Sequence, residues 1–265
     1  LKTYYNVGKM LSEAGKHYGE GIIKKYSIQL IQEVDKKFNT TNLKRMRQFY
    51  WIIEKGALMG HQLTWSHYKE LIPLKDINKI NYYINICESN LLSRDDLKLK
   101  IKNNEYERLD NSTKEKLKKE EKLQVQDLVK NPIILKTNKE IIKEKVLQQL
   151  ILEDVPSFLK ELGNGFSFID NEYKIKIGNN YNYIDLLLYN ITYNCYVVIE
   201  LKVTKLKKEH IGQIETYMNY IDKNLKTINQ DKTIGIIITK KDNKFIMEYC
   251  SDKRILNTTY ELQGV

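Results

Sequence analysis

The chain has 265 residues, of which 42% are hydrophobic and 29% charged, with a formal net charge of +10. That length suits one large or two ordinary domains, and the balance of apolar and charged residues excludes global disorder. Cys87, Cys195 and Cys250 are scattered without zinc spacing or a disulfide framework, and no apolar run approaches the ~18 residues of a membrane helix. The opening residues are too polar for a signal peptide, so the expectation is a cytoplasmic protein with no membrane partner. The basic excess attracts polyanions, nucleic acid first. Lys is accompanied by much Asn, Ile and Tyr, whose codons are also A/T-rich, so charge alone does not carry the point.

In the N-terminal half, residues 1 to about 14 are predicted helical through Tyr4, Val7 and Leu11, with breaks at Gly15, Gly19 and Gly21. Ile22 to Phe38 predicts a second helix with a stripe of Ile23, Tyr26, Leu30, Val34 and Phe38. Thr41 or Asn42 is placed to cap a third, Leu43 to about Lys55. Its apolar face is Leu43, Met46, Tyr50 and Ile53, and its other side carries Lys44, Arg45, Arg47 and Gln48. Helix, short turn and basic helix make a helix-turn-helix-like outline, and these four side chains are of types that meet DNA in a major groove. Thr64 or Ser66 caps a segment through Leu71. His61 and His67 are spaced wrongly for two ligands on one helix turn and are expected to be structural. Further helices are predicted over Asp76–Ser89 and Arg94–Tyr106, and a charged helix or linker over Lys114–Lys122. Pro132 marks a boundary, giving a helical domain of residues 1–130 and a second domain of residues 131–265.

Beyond it, Asn138–Leu162 is predicted largely helical, with Ile141, Ile142, Val146, Leu150 and Ile151 inward. Strands follow at Phe166–Asp170 and Glu172–Ile177, then a hairpin whose arms hold Asp185 and Glu200. Lys207–Asp222 is helical and Ile234–Thr239 a buried strand, while Phe245–Cys250 and Tyr260–Leu262 are ambiguous. The fold class is therefore α+β: an all-helical N-terminal domain, then a mixed sheet flanked by helices.

The hairpin carries the chemistry. Its arms are β-branched and aromatic, yet each holds one carboxylate, and charged residues are rarely buried unless paired or bound to an ion. Lys202 lies two residues after Glu200, on the same strand face. Asp185, Glu200 and the Leu201 carbonyl supply oxygens suited to Mg, with Mn as substitute. Such an ion polarises a phosphoryl oxygen and acidifies water, with Lys202 offsetting developing charge. Glu161 is the preferred further acid, with Glu153 and Glu172 behind it. His210 is a candidate phosphate contact. Tyr181, Tyr183, Tyr189 and Tyr217 could stack on bases or touch phosphate, but core packing is expected of each.

Ile184-Asp185, a short hairpin and Val198-Ile199-Glu200-Leu201-Lys202 resemble the core of the PD-(D/E)XK nucleases, with Ile184 where the nominal motif has proline. The whole chain resembles the YhcG-like family through Asn42–Tyr50, Leu63–His67, Phe158–Phe166, Tyr183–Leu187 and Tyr196–Lys202. The resemblance implies a restriction-endonuclease-like fold and a metal-dependent DNA endonuclease docked through its helical domain. It implies Asp185 and Glu200 as ligands, Lys202 as catalytic lysine, and roles for Glu161 and for Gln213 with Tyr217. The expected partners are DNA, a second copy of the chain, and restriction-modification or other defence-system proteins. The competing expectations are a catalytically silent DNA-binding protein and a recruitment module in which charge is incidental.

Overall fold

The computed structural model describes residues 1–18, 21–141 and 143–264; the break expected at Gly19 and the helix position expected at Ile142 lie outside the described residues. The chain divides into two compact units, Leu1–Glu107 and Arg108–Val265. No helix among the described residues is long and apolar enough to cross a membrane.

The first unit is built of α1 (Lys2–Tyr18), α2 (Gly21–Glu33), α3 (Thr40–Glu54), α4 (Trp65–Leu71), α5 (Ile77–Asn90) and α6 (Arg94–Lys102). Gly15 does not end α1, which continues to Tyr18. The second helix stops at Glu33, short of Phe38, because Asp35 takes extended backbone and its side chain accepts the Lys37 amide at 2.7 Å to start a 3-10 turn. Asn39, not Thr41 or Asn42, caps α3 by accepting the Asn42 amide at 3.0 Å. Leu11, Ile23, Phe38, Leu43 and Met46 form one hydrophobic cluster of this unit's core, and Tyr68, Leu71, Ile80, Tyr83, Ile84 and Leu97 are buried as well. In α4, His67 Nδ1 accepts the Thr64 amide at 3.1 Å and Nε2 donates to the Leu92 carbonyl at 3.1 Å, a structural role.

The second unit contains α7 (Asn111–Lys118), α8 (Val125–Leu128), β1 (Ile133–Lys136), α9 (Glu144–Glu153), α10 (Val155–Leu162), β2 (Phe166–Ile177), β3 (Asn180–Asn190), β4 (Cys195–Lys205), α11 (Lys208–Asn224), β5 (Asp231–Lys241), α12 (Lys244–Glu248) and β6 (Ile255–Gln263). The split expected near residue 130 falls inside it. Arg108 holds the approach to β1: its carbonyl accepts the Asn131 amide at 2.9 Å and its guanidinium donates to the Pro132 carbonyl at 2.7 Å. The helix expected from Asn138 starts only at Glu144. The two strands expected between Phe166 and Ile177 are one, β2, with a bulge between Phe168 and Asp170.

The six strands lie in the order β1-β6-β5-β4-β3-β2. β2, β3 and β4 are antiparallel, whereas β4, β5, β6 and β1 run parallel. The central parallel strands β4 and β5 are apolar on both sides, as strands covered on both faces must be. On one face Leu186, Val197, Ile199, Leu201 and Ile236 pack with Leu147 and Ile151 of α9 and Phe158 of α10. On the other, Leu187, Val198 and Ile237 pack with Ile214, Met218 and Ile221 of α11. Gly235 lets α11 approach β5 closely: a Cβ there would lie 2.5 Å from Met218 Sδ.

Two glycines of α1 should respond oppositely to alanine. A Cβ on Gly8 would lie 2.1 Å from the Met46 carbonyl oxygen of α3, whereas one on Gly15 meets only Arg47 Nη1 at 3.5 Å. Gly8→Ala is therefore expected to destabilise the protein by about 1–3 kcal/mol in urea unfolding. Gly15→Ala should be neutral or stabilise it by up to about 1 kcal/mol.

Candidate active site

β3 and β4 pair from Asn190↔Cys195 to Leu186↔Ile199 and then part. Asp185 bridges the opening, its Oδ2 accepting the Leu201 amide at 2.7 Å. β4 meanwhile continues along β5, with Glu200↔Ile237 and Lys202↔Thr239 in register. On the other side of β3, Glu172 sits between the pairs Asn171↔Leu186 and Tyr173↔Ile184 with φ +48°, a left-handed conformation uncommon for a side chain. The alternation of β3 slips here: Ile184 and Leu187 face the α11 layer, while Leu186 and Leu188 face the α9 layer. Gln148 of α9 fixes the same point, its Nε2 donating to the Asp185 carbonyl at 3.0 Å.

Glu200 is 1% exposed. Its Oε2 accepts from Lys202 Nζ at 3.3 Å, while Oε1 is buried without a hydrogen-bond partner. Burial, then the neighbouring Asp185, push its carboxyl up to about 8, although the Lys202 ammonium opposes this. Burial also raises Asp185, against the Leu201 amide and Lys202. Burial acts to lower Lys202, but Glu200, Asp185 and Glu144 together outweigh it and leave the pKa raised. Lys202 is thus a cation at neutral pH, suited to stabilising charge rather than taking a proton.

The structure brings Asp185, Glu200 and Lys202 together, with Leu201 joined through its amide. Tyr217 of α11 is buried, and burial raises its hydroxyl, with a smaller effect of the Glu200 and Asp185 charges. Gln213 Nε2 donates to Tyr217 Oη at 3.1 Å. His210 is buried rather than solvent-facing, and its Nδ1 accepts the Lys207 amide at 3.2 Å. Burial and then Lys202 lower its pKa, so it is a neutral part of the α11 entry.

Glu161 is engaged elsewhere. It pairs with Arg108 and accepts the Ile134 amide at 3.0 Å, tying α10 to β1. Glu153 pairs with Lys139 at 2.8 Å. Glu144, in the first turn of α9, reaches the cluster 3.6 Å from Lys202 Nζ, and the charge of the expected candidate Glu172 also acts on Asp185; nothing in the sequence separates Glu144 from Glu140 or Glu153. Gln148, one turn on, was equally silent. Of the α3 set, Lys44 and Gln48 are exposed and Arg45 half-buried. Arg47 is buried, its guanidinium 4.8 Å from the Trp51 ring centroid, so it is not part of an exposed basic face. Tyr189 is half-buried against Tyr196, whereas Tyr181 and Tyr183 lie outside the core.

The donor set fits a hard divalent cation. Carboxylate oxygens are the preferred ligands of Mg2+, which usually takes one or two of them and keeps several waters. The orphaned Oε1 of Glu200 is a buried acceptor of that kind. Among the described residues, no three His, Cys, Asp or Glu side chains are grouped to hold one ion.

Residues 126–263, more than half the chain, match the family model of the YhcG PDDEXK nuclease domain. The chain belongs to the YhcG PDDEXK nuclease family. Residues 1–108 match the DUF1016 N-terminal domain. A curated relative, "Putative nuclease YhcG" of Escherichia coli (strain K12), is 23% identical over 99% of this chain and 80% of its own length. Among solved structures, a repair endonuclease from Pyrococcus abyssi aligns at 17% identity with a TM-score of 0.33, covering 48% of this chain and 50% of its own. An EndoMS-dsDNA2 complex aligns at 18% and 0.32, covering 48% of each. The chain thus spans about half the length of the solved structures it matches. This YhcG-family nuclease domain carries Asp185 on β3 and Glu200 on β4, where the sheet opens.

Two substitutions separate site from scaffold in metal-free protein. Glu200 has a folded pKa near 8 against an ordinary unfolded value, so the folded state binds the extra proton and loses stability as pH rises from about 4.5 to 8. The unfolding midpoint of Glu200→Gln should therefore gain on the parent between pH 5 and pH 8.5. An unchanged difference across that window would contradict the assignment. Glu161→Ala removes a carboxylate that pairs with Arg108 and accepts the Ile134 amide, and should cost about 1–3 kcal/mol in urea unfolding.

Proposed function

We propose that this protein is a divalent-metal-dependent DNA endonuclease. Its second unit cuts phosphodiester bonds, and its first docks the substrate through α3. The observation that carries the reading is the buried, unpartnered Oε1 of Glu200 beside Asp185 and the Lys202 ammonium. Asp185 and Glu200 would hold Mg2+, or Mn2+ in its place, with the Leu201 carbonyl as a further oxygen. The bound ion supplies Lewis-acid polarisation of a phosphoryl oxygen and a more acidic water. Lys202, kept cationic by three carboxylates, stabilises negative charge building on the phosphoryl oxygens. The Leu201 amide holds Asp185 in place, and Gln213, hydrogen-bonded to Tyr217, orients water or the scissile phosphate. Lys44, Arg45 and Gln48 of α3 are the docking side chains. With one site per chain, cutting both strands of a duplex calls for two copies, and the cellular setting proposed is the cytoplasm, within a defence system.

Magnesium-dependent cleavage of plasmid and oligonucleotide DNA tests this. Glu200→Ala and Lys202→Ala should each lower the rate at least about 100-fold while DNA affinity stays within about threefold. Parental rates in both variants would refute the site. EDTA should abolish cutting, and Mn2+ should restore it. For docking, Arg45→Ala is expected to weaken DNA binding and reduce the salt slope by about 1, while Arg47→Ala acts through stability. Binding indifferent to salt would favour recruitment of a protein instead.

A further inference from the structure

β4 pairs with β3 only from Leu186 to Asn190, so residues 180–184 of β3 and 173–177 of β2 form a two-stranded ribbon. One side of the ribbon is core: Tyr173, Ile175 and Ile184 pack with the α11 layer. The other carries the opposed pairs Lys174↔Tyr183 and Lys176↔Tyr181, and directly opposed residues share a face. Both lysines are exposed, and Tyr181 and Tyr183 are 56% and 51% exposed. Lys174 Nζ lies 3.9 Å from the Tyr181 ring centroid and Lys176 Nζ 5.9 Å. The outward face of a half-buried ribbon is ordinarily polar. Here it alternates rings and ammonium groups, and the first ring is two residues along β3 from Asp185.

We infer that this face of the β2–β3 ribbon is a track for a DNA strand, holding unpaired nucleotides beside the cleavage site. The inference rests on the DNA-cutting reading above and adds the substrate form and the residues that hold it. Tyr183 stands about 7 Å and Tyr181 about 13 Å along the strand from Asp185; the rings lie on the side of β3 away from the α11 layer, and a strand that lies on them reaches the carboxylates around the end where β3 parts from β4. Exposed rings stack on any unstacked base, and Lys174 and Lys176 neutralise the phosphates between them. The positive charge selects a polyanion over a peptide strand added to the β2 edge, and the rings select unpaired bases over an intact duplex.

The test uses the full chain and a labelled fork with one unpaired arm, binding being read by anisotropy in EDTA and cutting in Mg2+. Tyr181→Ala/Tyr183→Ala should raise Kd and KM at least about fivefold, with kcat at saturating DNA within about twofold. The loss should be smaller on fully paired DNA, and Tyr181→Phe/Tyr183→Phe should restore parental values. Lys174→Gln/Lys176→Gln should flatten the slope of log Kd against log salt by about 1.4. If the alanine pair lowers the unfolding midpoint, Tyr181→Leu/Tyr183→Leu, which keeps apolar cover without a ring, decides in its place. A parent that cuts DNA while the ring variants match it in Kd and KM overturns the track alone. Equal loss on fork and duplex overturns the selection of unpaired bases. A parent that neither binds nor cuts DNA overturns the DNA-cutting reading and the track with it.

Discussion

A carboxylate with one oxygen left unsatisfied sits in the interior of a β-sheet, and this constraint governs the nuclease unit. Burying an ionised acid without partners costs far more than a single hydrogen bond returns. Glu200 is tolerated because Lys202 reaches back to it and because its carboxyl can keep a proton. The surrounding strands prevent relief by movement. Val198, Ile199 and Leu201 on β4 and Ile236, Ile237 and Ile238 on β5 are fully buried, so β4 cannot rotate Glu200 outward without exposing both apolar faces.

The same rigidity explains how three elements converge. β4 stays in the sheet through its parallel ladder with β5, while β3 leaves it at Asp185. The side-chain bond from Asp185 to the Leu201 amide replaces the ladder bond lost at that step. α9 and α11 cover opposite faces and bring Gln148 and Tyr217 to the same end. A polar cluster is thereby assembled almost wholly from residues whose neighbours are hydrophobic.

Much of this was legible in the sequence, for identifiable reasons. The hairpin of β3 and β4 announced itself because its apolar, β-branched arms are covered on both faces, and a charge within such a run is conspicuous. β5 was legible for the same reason. β1, only four residues long, borrows its stability from β6 and has no periodicity of its own. Glu161 and Glu144 both sit near helix ends. Glu161 pairs with Arg108, more than fifty residues away in sequence, and Glu144 with Lys202, and such distant pairings leave no local trace. Arg47 shows that residue type does not fix exposure: it is buried and its guanidinium lies over the Trp51 ring. Tyr181 and Tyr183 are exposed rather than packed in the core, because a ribbon that outruns its neighbouring strand leaves one side bare.

The order of the strands has a consequence for biogenesis. β6, the last strand in sequence, is not at an edge but between β5 and β1. Until residues 255–263 have been synthesised, β5 and β1 have no common neighbour, and the parallel half of the sheet is open. The acids and the ammonium are translated well before the framework that aligns them is closed. A nascent chain therefore carries Asp185, Glu200 and Lys202 before their framework is closed, and a product ending short of β6 would expose two unpaired strand edges, an invitation to aggregate.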